Sequence, residues 1–220
     1  MKATKLKYRP LDRHTIRLKD YDYSQPGAYF ITICVRERES LFGQVTGSRM
    51  VCNEFGQIAS NCWTELANRY TEATSDAFVV MPNHVHGVII VGAIHELPLR
   101  KLTPHQWPIQ TGYSDRLQRR DMLIPKIVGW FKMNTAKQVN QMRGTAGIPV
   151  WQRNYWEHVV RNEESLERIR EYITTNPSRW HLDAENPFRD GTDDFDRWLA
   201  SPARAIPVGA IHELPLHKNG

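Results

Sequence analysis

Runs of apolar, aromatic and β-branched residues along the chain predict a set of short strands. They cover residues 28–35, 41–45, 77–81, 84–91 and 155–160. The run at 41–45 follows a polar turn after the first strand, which indicates a hairpin between the two. Pro82 separates the runs at 77–81 and 84–91, because proline cannot donate a backbone hydrogen bond within a sheet.

Apolar residues at helical spacing predict three helices, over residues 53–70, 123–141 and 163–175. Asn53 is a suitable N-cap for the first helix, and Pro125 fits the first turn of the second. The third helix is expected to stop before Pro177, because the residue preceding a proline disfavours helical geometry. Strands and helices joined by short links predict an α+β sandwich with a mostly antiparallel sheet.

The domain organisation follows from changes in composition. Residues 28–180 hold the predicted strands and helices and are expected to form one domain, preceded by a basic N-terminal extension over 1–27. Residues 92–121 are rich in proline, glycine and polar residues without a sustained period, which indicates an insertion between elements. Residues 181–220 are polar and contain four prolines, so they are expected to form an irregular tail.

Composition excludes several classes of protein. Hydrophobic residues make up 40% of the chain and charged residues 24%, which is typical of a globular protein rather than a disordered one. No apolar run is long enough to cross a bilayer, and the N-terminus lacks the apolar stretch of a secretory signal. Three cysteines without CxxC spacing indicate neither a disulfide framework nor a zinc ribbon. A cytoplasmic location is therefore expected.

The charge balance is basic, with 29 Lys and Arg against 24 Asp and Glu. The excess is concentrated at the N-terminus, where seven basic residues precede position 20: Lys2, Lys5, Lys7, Arg9, Arg13, Arg17 and Lys19. Such a cluster is compatible with a nucleic-acid partner, although a solvated tail would look the same.

A pair of histidines in the strand at 84–91 is the first candidate for chemistry. Residues two apart in a strand point to the same face, so His84 and His86 project side by side. Two imidazoles in this geometry can bind one divalent ion. A histidine pair on a solvated strand face has the same spacing, so the motif alone leaves both interpretations open.

The second candidate lies in the third predicted helix. Tyr172 and Asn176 are four residues apart, which places them one above the other on a helix face. Ile169 and Ile173 form an adjacent apolar stripe that can pack on a sheet. On its own, Tyr172 could equally be a residue at the edge of the core.

Together the two motifs resemble a known family. The segment MPNHVHGVII resembles the HUH strand of single-tyrosine transposases, and WQRNYWEHVVRNEESLERIREYITTNP resembles the C-terminal half of the catalytic domain in their REP-associated subfamily. The resemblance spans about residues 29–180 and implies a ferredoxin-like α/β sandwich. Its antiparallel sheet would carry the HUH motif, with helices on one face.

The resemblance also implies a reaction. His84, His86 and Asn176 would hold Mg²⁺ or Mn²⁺, and Tyr172 would attack DNA to form a covalent 5′-phosphotyrosine that can later be rejoined. The expected substrate is single-stranded or hairpin DNA with palindromic repeats, and the protein would act as a monomer or a homodimer. No Gly-rich phosphate loop is present, so no nucleotide cofactor is expected. Basic and aromatic residues could contact the DNA, namely Lys126, Lys132, Arg153, Tyr155, Trp156, His158 and Arg161.

Two other functions are compatible with these motifs. One is a sequence-specific hairpin-DNA-binding protein of the same fold that no longer cleaves. The other is a metalloenzyme that uses the His pair on a small molecule, which the basic N-terminus and the lack of acidic ligands near the motif disfavour.

A nonapeptide, VGAIHELPL, occurs twice, at residues 91–99 and 208–216. One permitted coding sequence, GTAGGGGCAATTCATGAATTGCCCCTAC, reads the same on its reverse complement. The two copies are therefore interpreted as insertions of a short palindromic DNA element, of the kind this family would process. The peptide itself would have no catalytic role, and unrelated codons at the two copies in the gene would contradict the interpretation.

Overall fold

The structure, a computed structural model, describes residues 21–92 and 121–201. In chain order its elements are β1 (Gly27–Cys34), a 3-10 turn (Arg36–Arg38), β2 (Gly43–Thr46), β3 (Arg49–Cys52), α1 (Glu54–Thr64), α2 (Leu66–Arg69), β4 (Ala73–Val80), β5 (His84–Val91), α3 (Leu123–Met142), β6 (Trp156–Val160), α4 (Glu163–Thr175), a 3-10 helix (Asn176–Leu182) and α5 (Asp194–Leu199).

A four-stranded sheet in the order β4-β5-β1-β6 forms the centre, and all of its neighbouring strands are antiparallel. Apart from the small β2–β3 pair, the chain runs β1-α1-β4-β5-α3-β6, which is the β-α-β-β-α-β order of a ferredoxin-like fold. The predicted α+β fold with an antiparallel sheet is confirmed.

Both faces of the sheet are covered. On β1, Tyr29, Ile31 and Ile33 pack into a core shared with α1 and α3. Phe30 and its neighbours on the other face pack against α4. The two crossover helices α1 and α3 share one face of the sheet, but the expectation of helices on one face only is wrong for α4, which covers the other face. The physical reason is that β1 is apolar on both sides, and each side must be buried.

The expected hairpin between residues 28–35 and 41–45 is not formed. Strand β2 pairs with β3 instead, through a two-residue turn at Gly47 and Ser48. Both turn residues have positive φ, 54° and 66°, as a type I′ hairpin requires. The helix expected over 53–70 is divided into α1 and α2 at Glu65.

Residues 181–201 were expected to be irregular, yet they contain the end of the 3-10 helix and the whole of α5. Asp183, Glu185 and Phe195 are buried there, so this segment contributes to the core. The N-terminal basic cluster, nearly all of the expected insertion and most of both repeat copies lie outside the described residues. Within the described ranges, no helix is long and apolar enough to span a membrane.

Gly87 lies beside the histidines, where the indole of Trp63 closes over strand β5. A Cβ at Gly87 would lie 2.2 Å from Cζ2 of Trp63, and Trp63 is itself stacked on Phe78 with ring centroids 4.5 Å apart. We expect Gly87→Ala to lower the free energy of unfolding by about 1–3 kcal/mol through overpacking. Urea unfolding measures the change. Gly129→Ala is the matched control, because nothing lies within 4 Å of that exposed position, and it should be neutral or stabilising.

An ion pair fastens α4 to the edge strand β4. Arg170 donates from Nε to Oδ1 of Asp76 at 2.8 Å and from Nη2 to Oδ2 at 2.6 Å. Asp76 lies in the irregular stretch of β4 between Ser75 and Phe78. The hydrogen bonds from Arg170 lower the pKa of Asp76 below its ordinary value, against the opposing effect of burial. The pair therefore orients the helix that carries Tyr172.

We expect Arg170→Met to lower the free energy of unfolding at pH 7 by about 1–2 kcal/mol. Because the folded-state pKa of Asp76 is lowered, this stabilisation is complete above the ordinary aspartate pKa and is lost as the pH falls through the lowered value. The difference between the two proteins should therefore shrink below about pH 4. Urea titrations at several pH values measure it, and a difference independent of pH would contradict the assignment. Arg197→Met, which removes an exposed pair with Asp194, should cost less.

Candidate metal and tyrosine site

The histidine pair lies on the central strand β5, on the face covered by α4. The rings of His84 and His86 are 4.3 Å apart between centroids. Their residues are 0% and 3% exposed. The interpretation of the pair as polar surface is therefore wrong, because two solvated histidines would not be enclosed in this way.

The hydrogen bonds around His84 determine which of its nitrogens carries the proton. Nδ2 of Asn83 donates to the carbonyl oxygens of Arg38 and Glu185, at 3.2 and 2.8 Å, which sets the orientation of that amide. Oδ1 of Asn83 then faces Nδ1 of His84 at 2.8 Å, so Nδ1 must donate. Burial lowers the pKa of His84 to about 3. The neutral ring therefore presents the lone pair of Nε2 to the interior of the site.

His86 is oriented from the neighbouring strand. Its Nδ1 lies 2.8 Å from Oγ1 of Thr32, which is directly opposite on β1. Nε2 therefore points the other way, toward Tyr172 and Asp183. Its distances are 3.3 Å to Oη of Tyr172 and 3.7 Å to Oδ2 of Asp183.

Tyr172 reaches the histidines from α4. Its hydroxyl donates to Oδ2 of Asp183 at 3.1 Å. Its ring is stacked on Phe195 with centroids 3.8 Å apart, and Phe30 meets it edge-on. Burial and then the charge of Asp183 raise the pKa of Tyr172 well above its ordinary value. In this arrangement the hydroxyl keeps its proton.

Asp183 is the functional candidate that the sequence did not reveal. It follows the 3-10 helix, which turns the chain back toward the histidines. Its Oδ2 lies 3.8 Å from Nε2 of His84 and also accepts from Nδ2 of Asn176 at 2.6 Å. Burial alone would raise the pKa of Asp183, but the histidines and the Asn176 hydrogen bond outweigh it and lower that pKa. No spacing or motif in the sequence links Asp183 with the histidine strand.

Asn176 lies just beyond α4, beside the site rather than apart from it. Its side chain is buried, and Nδ2 positions the carboxylate of Asp183. Within the described part of the chain, neither Oδ1 of Asn176 nor Nε2 of His84 has a hydrogen-bond partner. Two buried lone pairs left unsatisfied in this way are energetically costly.

The arrangement fits a divalent cation. One ligand atom from each of His84, His86 and Asp183 can be chosen so that all three lie within 4.8 Å of one another. A cation would also satisfy the unpartnered Nε2 of His84. Imidazole nitrogens with a carboxylate oxygen suit ions such as Mg²⁺ or Mn²⁺ at the hard end and Zn²⁺ at the softer end. A buried His-His-Asp group that could bind a metal is therefore present.

A strap of residues 183–186 is anchored to the turn after β1. Arg38 donates to the carbonyl oxygen of Ala184 at 3.0 Å and pairs with Glu185 at 2.8 Å. Glu37 and Arg38 both have left-handed φ, 58° and 57°, a strained conformation for residues other than glycine. The hydrogen bond and ion pair that Arg38 makes with the strap can offset the cost of this conformation. This anchoring holds Asp183 in place.

The residues predicted to contact DNA lie on both faces of the four-stranded sheet rather than on one. Trp156 and His158 lie on the face of the histidines. Tyr155 packs into the core on the opposite face.

The two lysines predicted to contact DNA lie on α3, which covers the face away from the histidines. The ammonium group of Lys132 donates to the backbone carbonyls of Gln152 and Arg153. Lys126 is exposed. Arg153 is an exposed residue shortly before β6, and Arg161 is half-buried directly after it.

Two curated proteins and one solved structure are similar to this chain. No protein-family model matches the chain. The chain is 38% identical over 175 residues to an "uncharacterized protein" of Haemophilus influenzae, covering 78% of this chain and 91% of that one. It is 26% identical over 156 residues to a second H. influenzae protein, named "Putative REP-associated tyrosine transposase", covering 71% and 73% of the two chains. A solved REP-associated tyrosine transposase bound to a REP hairpin is 19% identical, with a TM-score of 0.43 over 74% of this chain and 73% of that one.

The fold is α+β with a central antiparallel sheet, and a strand His pair and a helical tyrosine meet on one face of it. This is the arrangement that the resemblance to single-tyrosine HUH transposases implied. The chain belongs to the same family as the H. influenzae protein with which it shares 38% identity, and it is similar to a protein named as a REP-associated tyrosine transposase.

Proposed function

We propose that this chain is a metal-dependent endonuclease and transposase that nicks and rejoins single-stranded DNA at palindromic hairpin elements in the cytoplasm. The observation that carries the proposal is the position of the Tyr172 hydroxyl. It lies 3.3 Å from Nε2 of His86 and 3.1 Å from Oδ2 of Asp183. A tyrosine nucleophile and a set of metal-binding atoms thus share one buried site.

In this proposal His84, His86 and Asp183 hold the cation, and Asn176 orients Asp183. A bound cation would supply Lewis-acid polarisation of the scissile phosphate. Oδ1 of Asn176, which has no hydrogen-bond partner among the described residues, is a fourth candidate ligand. The resemblance had implied Asn176 as the third ligand, and Asp183, whose Oδ2 lies 3.8 and 3.7 Å from the two Nε2 atoms, is proposed in that role.

The reaction balances without an external energy source. The Tyr172 oxygen forms a bond to the scissile phosphorus and releases its proton to solvent, the bond from phosphorus to the 3′ oxygen breaks, and that 3′ oxygen takes up a proton from solvent. The products are a 5′-phosphotyrosine and a free 3′ hydroxyl, and attack by a 3′ hydroxyl reverses the step. Since the pKa of Tyr172 is raised in the described arrangement, binding of the cation and DNA must favour loss of its proton.

DNA can reach the candidate site only if the residues that bury it move. Tyr172 and Asp183 are 3% and 1% exposed, and Trp180 and Phe195 lie over His84 and Tyr172. A phosphodiester therefore reaches Tyr172 only when residues of the segment 180–199 shift.

Three observations support hairpin DNA as the substrate. The chain has a formal net charge of +5, which favours a polyanion. The repeated nonapeptide has a possible coding sequence that is a perfect palindrome. The similarity to a protein named as a REP-associated tyrosine transposase favours REP-like elements. Since the candidate site is assembled within one chain, we also propose that a monomer is sufficient for cleavage.

The test is an adduct assay. Purified protein is incubated with Mg²⁺ or Mn²⁺ and a labelled single strand carrying GTAGGGGCAATTCATGAATTGCCCCTAC with its flanks, and products are separated under denaturing conditions. We expect a covalent protein–DNA species that disappears with EDTA. Hairpin binding without any adduct would contradict the enzyme and support the binding protein of the same fold. A scrambled strand of equal length controls for the palindrome.

A further inference from the structure

A row of side chains crosses the sheet at the histidine site. His86 on β5 is opposite Thr32 on β1, and Thr32 is opposite Trp156 on β6. Directly opposed residues of an antiparallel sheet project to the same face. Trp156 is therefore two strands away from His86 on the face that holds Tyr172, and adjacent strands lie only about 4.8 Å apart.

Trp156 and His158 form an aromatic surface at the end of this row, which we call the β6 platform. Their rings are parallel to within 3°, with centroids 5.9 Å apart. One edge of Trp156 packs against Phe30 at 5.3 Å, and Phe30 in turn contacts the rings of both His86 and Tyr172. Both platform residues are half-buried. The platform is thus connected to the candidate site through Phe30, and each of its two residues is partly exposed.

We propose that the β6 platform binds a nucleobase of single-stranded DNA next to the phosphate that Tyr172 attacks, an inference that rests on the proposed function. Among the described strands, β6 lies at the edge of the four-stranded sheet, so a DNA strand can pass alongside it. An indole with a parallel imidazole offers a stacking surface that any base can use. Placing a base there holds the neighbouring phosphate over the histidine site, so the platform sets the register of cleavage.

The experiment measures DNA affinity without cleavage. Fluorescence anisotropy in EDTA follows binding of the wild-type protein to the labelled palindromic hairpin with single-stranded arms. A series of probes carries one abasic site at successive positions along the arms. Loss of one base from a stacking surface should weaken binding by about 5- to 100-fold. We expect one abasic position to weaken wild-type binding in this way and to have little effect on Trp156→Ala, which already lacks the stacking partner.

Variants separate stacking from folding. His158→Ala should weaken binding, and Trp156→Tyr should restore most of the affinity that Trp156→Ala loses. Trp130→Ala is the matched control, because Trp130 is a half-buried tryptophan on α3, on the opposite face of the sheet. Thermal melting verifies that each variant is folded. If Trp156→Ala does not fold, Trp156→Leu together with His158→Ala replaces it.

The outcomes are distinct from those of the proposed function. If every abasic position lowers the DNA affinity of the wild type and of Trp156→Ala equally, the proposed role of the platform is wrong. It is also wrong if the wild type does not bind the single-stranded arms at all. If the adduct forms but the effect of the abasic site does not depend on Trp156, the proposed cleavage reaction is supported and the platform is contradicted. If the effect of the abasic site depends on Trp156 but no adduct forms, the platform is supported as part of a DNA-binding protein and the proposed cleavage reaction is contradicted.

Discussion

Tyr172→Phe is expected to eliminate the covalent protein–DNA adduct while leaving hairpin affinity close to that of the wild type. The change removes a single oxygen, the one that lies between His86 and Asp183. The phenyl ring keeps its stacking on Phe195 and its edge contact with Phe30. Without a hydroxyl no phosphotyrosine can form, whatever metal is bound. A denaturing gel with end-labelled DNA measures the adduct, and anisotropy measures binding.

The control for this change is Tyr70→Phe. The hydroxyl of Tyr70 donates to the backbone carbonyl of Lys126 on the other side of the sheet, so adduct formation should continue. Because Tyr172→Phe also removes one hydrogen bond to Asp183, we expect the free energy of unfolding to change by about 1 kcal/mol. An adduct of undiminished yield with Tyr172→Phe would show that another residue is the nucleophile.

Asp183→Asn is expected to lower the affinity for Mn²⁺ by about 10- to 100-fold. Adduct formation should fall as well, because it depends on the bound metal. The carboxylate provides the only negative charge in the His-His-Asp group, and its Oδ2 lies 3.8 and 3.7 Å from the two Nε2 atoms. An amide of the same shape keeps the volume but loses the charge that attracts a cation. Titration calorimetry and the electron paramagnetic resonance signal of free Mn²⁺ measure the affinity directly, without DNA.

Two companion variants make the result specific. Asp194→Asn removes an exposed carboxylate on α5 and should leave Mn²⁺ affinity unchanged. Asn176→Ala tests the ligand that the family resemblance implied. If Asn176→Ala loses the metal and Asp183→Asn does not, the third ligand is Asn176, and the carboxylate only accepts hydrogen bonds.

The sequence by itself determined the elements whose signals are local. The alternation in β5 placed His84 and His86 on one face, and the helical spacing in α4 placed Tyr172 above Asn176. Both placements hold in the structure, because strand and helix periodicities are properties of the backbone and need no distant partner. The antiparallel α+β fold was likewise predictable from the order of the elements.

Only the tertiary structure decided what surrounds these residues. Strand pairing brings Thr32 against His86, the packing of α4 on the second sheet face brings Tyr172 to the histidines, and Arg38 anchors the strap that inserts Asp183. These contacts join residues far apart in the chain. No short-range pattern encodes them, since they depend on the burial of two apolar sheet faces and on the pairing of buried charges. The carboxylate that completes the candidate metal site was for this reason invisible in the sequence.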